Sequence, residues 1–186
     1  MRIRFVLASL ASAIAVAAPL TARAQAPSGI LADFLRDLGG TQQKMVALAK
    51  AMPADKYDWR PGPGVRSVGE VFLHVAADNY FLPAGLGTAA PTATGIKSSD
   101  YKTADAFATR KLGKDAIIKE LEDSYAFLKS AMSAATDAKL VQPATMFGAT
   151  MPVRAWWLGT LTDMHEHLGQ AIAYARMNGV VPPWSK

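Results

Sequence analysis

The sequence predicts an all-α protein, an antiparallel four-helix bundle with one or two long connections. Three observations predict it. Four long stretches repeat apolar residues at three- and four-residue spacing, the period of a helix with one buried face. Start and stop signals stand at their ends, among them a capping box at Ser67–Glu70 and an Asn178-Gly179 stop before Pro182-Pro183. No succession of alternating apolar and polar residues supports a set of strands.

Met1–Ala24 reads as a secretory signal peptide. Arg2 and Arg4 give the positive start, Phe5 to Leu20 the apolar run, and Ala22-Arg23-Ala24 the small residues of a cleavage site. The run is shorter than the ~20 residues of a membrane-spanning helix. No later stretch is long enough either, so no stable membrane insertion is expected after cleavage. Residues 25–186 then form one domain with a substantial core. The chain has no cysteine, which rules out a lipoprotein anchor and disulfides. The expected location is a bacterial periplasm or the exterior.

The formal net charge of +5 comes from 20 basic and 15 acidic residues. Arg2, Arg4 and Arg23 leave with the signal, so the mature chain keeps 17 against 15. No basic run or basic-aromatic interleaving remains, and nucleic acid is excluded as a partner.

The first helix runs from a cap at Ser28 to about Met52, with Leu31, Phe34, Leu35 and Leu38 in helical register and Met45, Leu48, Ala49 and Met52 resuming it. Gly39-Gly40 costs about 2 kcal/mol against alanine, which predicts a kink or local break. The turn-rich connection Pro53–Arg66 follows; Tyr57 and Trp59 in it are expected to plug the end of the bundle, with a ligand-binding role as the alternative. Helix two opens at the capping box and runs to about Phe81, apolar over a wide arc through Val68, Val71, Phe72 and Val75. Pro83 to Gly113 shows no sustained period and reads as a long connection, either a lid or an excursion. Helix three covers about Lys114 to Ala134, with Ile118, Leu121, Tyr125, Leu128 and Met132 along a bundle seam. Leu140 to Ala149 is a second irregular connection with room for a short extended piece. Helix four opens at Thr150 or Met151, with Pro152 in its first turn, and ends at Asn178-Gly179.

The chemistry concentrates in helix four, at Asp163-Met164-His165-Glu166-His167-Leu168-Gly169-Gln170. The chain has three histidines, and two of them lie here. With about 100° per residue, Asp163 and His167 share one face and His165 points to the opposite flank. The stripe centred on Met164 includes His167 and borders Asp163, so both turn inward, where His74 of helix two can meet them. A His74/Asp163/His167 cluster suits zinc or another divalent transition metal; it equally suits a hydrogen-bonded polar core with an Asp-His pair. Glu70, His74 and Asp78 descend helix two at four-residue intervals. Glu70 or Asp78 can orient the imidazole, replace a ligand, or belong to a polar seam. His165-Glu166-His167 is a fragment of a zinc-protease helix, but Gly169 stands where that motif needs histidine.

Two blocks, Tyr57-Asp58-Trp59-Arg60-Pro61 with Gly64–His74, and His167-Leu168-Gly169-Gln170 with Tyr174–Gly179, resemble the DinB/YfiT-like superfamily over essentially the whole mature chain. The resemblance implies a four-helix bundle with a three-histidine metal site, one ligand in helix two and two spaced by four residues in helix four. By position these fall on His74, Asp163 and His167, so the middle ligand is an aspartate here. The implied cofactor is zinc, nickel, manganese or iron. The implied activity is metal-assisted chemistry on a small molecule, a thiol-type transferase or a hydrolase; a homodimer is compatible with it. The competing reading is a non-catalytic small-molecule-binding or interaction bundle whose metal site is altered or lost.

Overall fold

The computed structural model describes residues 29–185. The expected signal segment and the Ser28 cap lie outside the described residues. The four amphipathic stretches form the four long helices: α1 (Gly29–Ala51), α2 (Val68–Gly85), α4 (Lys114–Ser133) and α6 (Val153–Met177). Between them lie two short helices, α3 (Lys102–Ala108) and α5 (Asp137–Leu140), and an antiparallel hairpin of β1 (Pro143–Met146) and β2 (Ala149–Pro152). Helix α2 packs on α3, α4 and α6, while α1 closes the other side against α4 and α6. Leu38, Met45, Leu48, Leu121, Leu128 and Met132 are wholly buried at the centre. Each such side chain stabilises the fold by roughly 1.5–3 kcal/mol.

Helix α2 starts where it does because every amide of its first turn finds an acceptor. Val68 N–H donates to Trp59 O (3.0 Å), Gly69 N–H to Tyr57 O (2.9 Å), and Glu70 N–H to Ser67 Oγ (3.2 Å). The Glu70 carboxylate returns to accept from Ser67 N–H at 2.9 Å, completing the capping box. Gly69 is needed for this approach, since a Cβ there would lie 3.0 Å from Ile117 Cδ1 and 3.3 Å from Tyr57 O. The Tyr57–Trp59 strip is thereby fastened across the start of α2. Tyr57 is buried, its hydroxyl donating to Ala49 O at 2.7 Å, and Trp59 is half-buried.

Several boundaries differ from the sequence expectations. Helix α1 runs through Gly39-Gly40 without a break. Leu38, Thr41 and Met45 stay in phase and buried on either side of the pair, and that burial outweighs the propensity cost. Helix α2 continues through Pro83 to Gly85, beyond Phe81. The missing amide falls in the last turn, and the buried Pro83 supplies its carbonyl to Leu86 and Thr88. Residues 83–113 are not one irregular connection: they hold a 3-10 turn at Thr92–Thr94 and α3, too short at 7 residues to display a period. Helix α6 begins at Val153 because Thr150 and Met151 pair instead with Thr145 and Ala144 in the hairpin. Its end is as expected, with Asn178 at the cap and Gly179 in the left-handed region (φ 74°). Among the described residues no helix is long and apolar enough to cross a membrane.

Candidate metal centre

Fourteen of the eighteen residues of α2 are buried, so a polar side chain on this helix meets protein on almost every side. His74 and Asp78, one turn apart, face α6. His74 Nε2 lies 3.3 Å from Asp78 Oδ2, and the His74 and His167 rings meet edge to face with centroids 4.6 Å apart. His74, Asp78 and His167 each turn one donor atom inward so that all three lie within 4.8 Å of one another. Asp163 stands one turn before His167, its Oδ1 3.6 Å from His167 Nε2. It is outside the compact three-donor set, at the edge of the cluster.

The remaining candidates are engaged elsewhere. His165 faces α1, with Nε2 2.9 Å from Asp37 Oδ2 and 3.4 Å from Thr41 Oγ1. Glu70 holds the start of α2 and pairs with Arg60 and Lys111 at 3.2 Å. Asp78 is the α2 carboxylate that reaches His74, and the Tyr101 hydroxyl donates to its Oδ1 at 3.2 Å.

Burial drives the electrostatics. It pushes the His74 imidazole down to about 3, helped by the nearby Arg66 and His167 charges. It pushes the Asp78 carboxyl up to about 7, reinforced by the Asp163 carboxylate; the Tyr101 hydrogen bond and Arg66 work against the rise. Asp163 is also raised by burial, with His167 offsetting it. The short His74–Asp78 contact is therefore not an ion pair, because burial disfavours the charged form of both partners. Two imidazoles and a carboxylate, gathered out of water without a permanent cation among them, suit a divalent metal.

The closest donor pair fits such an ion. Tetrahedral bonds of about 2.0–2.1 Å place neighbouring ligand atoms about 3.3 Å apart. The His74–Asp78 contact is 3.3 Å, and the donor atoms of His74, Asp78 and His167 together lie within 4.8 Å. The imidazole of His167 is also prepared. Its Nδ1 faces Gln170 Oε1 at 3.1 Å, so Nδ1–H donates and Nε2 keeps its lone pair for the cluster. Gln170 Nε2–H in turn donates to Tyr174 Oη at 3.1 Å, and the Tyr174 ring meets Trp59 edge to face at 5.5 Å. The aromatic strip ahead of α2 thus braces the histidine on α6.

A cavity of about 330 Å³ opens onto the cluster. Asp78 and Leu82 of α2, Trp156, Thr160 and Asp163 of α6, and the rings of Tyr101 and Phe147 line it. Tyr101, Phe147 and Trp156 went unseen in the sequence as site residues. Tyr101 lies in a stretch with no period, and its only signal is a lone aromatic among Ser, Thr, Asp and Lys. Gln170 stands in a quoted motif, but its contact with His167 depends on side-chain rotamers that spacing does not specify.

A model of the DinB superfamily matches residues 37–171 of the chain. No curated protein matches the sequence significantly. Among solved structures, a DinB-like protein from Bacillus cereus superposes with a TM-score of 0.67 at 18% identity, covering 82% of this chain and 95% of its own. A conserved protein from Enterococcus faecalis gives 0.67 at 16% identity, with coverages of 81% and 97%. A mycothiol-dependent maleylpyruvate isomerase gives 0.59 at 15% identity; the match covers 74% of this chain and 59% of that one. At these identities the likeness to the solved structures is one of fold.

Proposed function

The chain belongs to the DinB superfamily, and from that premise we propose that it is a metal-dependent protein acting on a small molecule, with His74, Asp78 and His167 holding a divalent transition metal. The observation that carries this reading is the convergence of those three donor atoms within 4.8 Å in a site where burial keeps His74 neutral. Two imidazoles and a carboxylate serve zinc, nickel, manganese or iron, and leave room for a further ligand. Bound there, the ion supplies Lewis acidity that lowers the pKa of a water or a small-molecule thiol.

The chain's own residues supply the rest. Gln170 orients His167 through Nδ1, and Tyr101 holds one oxygen of Asp78. Asp163, half-exposed on the cavity wall, accepts the proton released by the attacking nucleophile. Leu82 and the aromatic side chains supply the apolar part of the cavity lining. Likeness to an isomerase that depends on mycothiol supports a thiol as nucleophile. The amino-terminal segment Met1–Ala24 supports export, where free thiols are scarce and water is the available nucleophile. Intact-mass measurement of periplasmic protein should find Gln25 at the amino terminus; full-length protein in the cytoplasm would remove the argument for water.

Elemental analysis of protein purified without chelator or a histidine tag tests the metal directly. We expect about one transition-metal ion per chain, or its uptake on titration with zinc or nickel. Metal-free protein that takes up neither ion would leave the non-catalytic binding bundle as the function.

A further inference from the structure

Phe147 occupies a backbone position that its side chain disfavours. The hairpin turns through Phe147-Gly148, both at positive φ (50° and 77°). A two-residue turn of this kind prefers Asn-Gly, and a bulky residue in its first place is strained. Phe147 is also 63% exposed, so core burial does not explain its presence. Strain held at an exposed aromatic beside a cavity points to binding.

The hairpin is fixed so that this ring faces the cavity. Trp156 Nε1–H on α6 donates to Ala144 O on β1 at 2.9 Å, and the Thr145 and Thr150 hydroxyls meet across the strands at 2.8 Å. Met146 lies against Gly85 at the end of α2, where any Cβ would come within 2.8 Å of its sulfur. The Phe147 ring then stands 5.8 Å from Tyr101 and 6.3 Å from Trp156, in tilted and edge arrangements. These three rings wall the cavity of about 330 Å³ that ends on Asp78 and Asp163. Tyr101 and Phe147 also divide it from a neighbouring cavity of about 520 Å³ that contains none of the cluster residues.

We infer that Tyr101, Phe147 and Trp156 form the recognition wall for a flat, aromatic or conjugated small molecule, with Phe147 selecting planarity. Aromatic pairs in offset or edge contact gain stabilisation beyond the area they bury, which a saturated ring of the same size does not supply. The volume is that of a small-molecule site. The inference rests on the turn and the cavity and holds with or without a bound metal, so it stands apart from the metal reading.

Calorimetric titration with 2-naphthol and with its saturated analogue, decahydro-2-naphthol, tests it on the mature protein in zinc and in EDTA. We expect 2-naphthol to bind about tenfold more tightly than the analogue under both conditions. Phe147→Ala should lower 2-naphthol affinity about tenfold, leaving the two probes nearly equal. Phe147→Asn should cause the same loss while raising Tm by about 2 °C, because asparagine accepts the positive φ. Equal affinities in wild type, including no binding of either probe, would overturn the inference. So would wild-type affinity in Phe147→Asn, or a fall in its Tm, which would make Phe147 a cover for the core. Naphthol binding in zinc but not in EDTA would also overturn it, since the rings would then recognise nothing without the ion.

Discussion

On its α4 side, helix α2 lays Gly69 against Ile117, meets Phe127 with Tyr80 at 5.4 Å, and sends Asn79 Nδ2–H to Ser124 Oγ at 2.9 Å. The Ser124 hydroxyl in turn donates to Leu121 O at 2.8 Å. On its α6 side the same helix presents His74 and Asp78 to His167 and to a cavity. Both sides bury polar groups. On the α4 side a donor is matched within the fold by a neutral partner. On the α6 side the groups meet each other with both charged forms disfavoured by burial. Burial alone therefore does not mark the site, since Asn79 Oδ1 on the α4 side is itself buried without a partner; the convergence of two imidazoles and a carboxylate on one point does.

The sharpest separation of the two sides comes from truncating the α4 side. Leu121→Ala should destabilise the protein by about 2–5 kcal/mol, since Leu121 is wholly buried. Trp157→Ala, near the foot of α6, should cost a similar amount. Chemical denaturation measures both, and midpoints equal to wild type would show that the core does not sit on these seams.

Next in size is a pH effect confined to the α6 side. In the unfolded chain Asp78 ionises near 3.9, whereas in the fold it is pushed up to about 7. Between those values the native state holds a proton that the unfolded state has lost, so metal-free wild type loses stability as pH rises across this window. His74 has the opposite sense. Its folded value of about 3 lies below its unfolded one near 6.5, so its cost is greatest in acid and fades as pH rises through 6.5. Asp78→Asn removes the first effect and keeps the second. In EDTA, its stability relative to wild type should therefore improve on the order of 2 kcal/mol from about pH 5 to about pH 8. A relative stability that does not change with pH would mean that Asp78 is ionised at no cost in the fold.

Gln170→Ala probes the brace behind His167 and should weaken zinc or nickel binding about 10–100-fold, by freeing the imidazole to rotate and change tautomer. Unchanged affinity would mean that the Gln170 contact does not hold the His167 imidazole in place. The smallest effects belong to residues on neither side. His165→Ala should leave metal affinity within about twofold, because His165 pairs with Asp37 on α1. Lys129→Ala, exposed on α4, should change stability by less than about 0.5 kcal/mol.

The bundle was legible in the sequence because burial repeats with helical period: Leu121, Tyr125, Leu128 and Met132 declare α4, and Ser67 with Glu70 declares the start of α2. Face geometry likewise separates His165 from His167. What the sequence hid has two physical causes. Helix α3 and the hairpin are too short to show a period, so Tyr101 and Phe147 lay in stretches without signal. The choice between carboxylates depends on helix rotation and rotamers: Glu70, Asp78 and Asp163 all have the spacing, but Asp78 alone of them completes the compact set with His74 and His167. The resemblance drew attention to Asp163 because of its place one turn before His167. In the fold, one turn on α2 brings a carboxylate closer to His74.

That choice is the centre of the account, and zinc titration of Asp78→Ala beside Asp163→Ala measures it most directly. With His74, Asp78 and His167 as the ligands, Asp78→Ala should lower affinity at least about 100-fold, because two protein ligands seldom hold a transition metal tightly. Asp163→Ala should stay within about tenfold of wild type. Retained tight binding in Asp78→Ala with its loss in Asp163→Ala would contradict the account and move the third ligand back to α6.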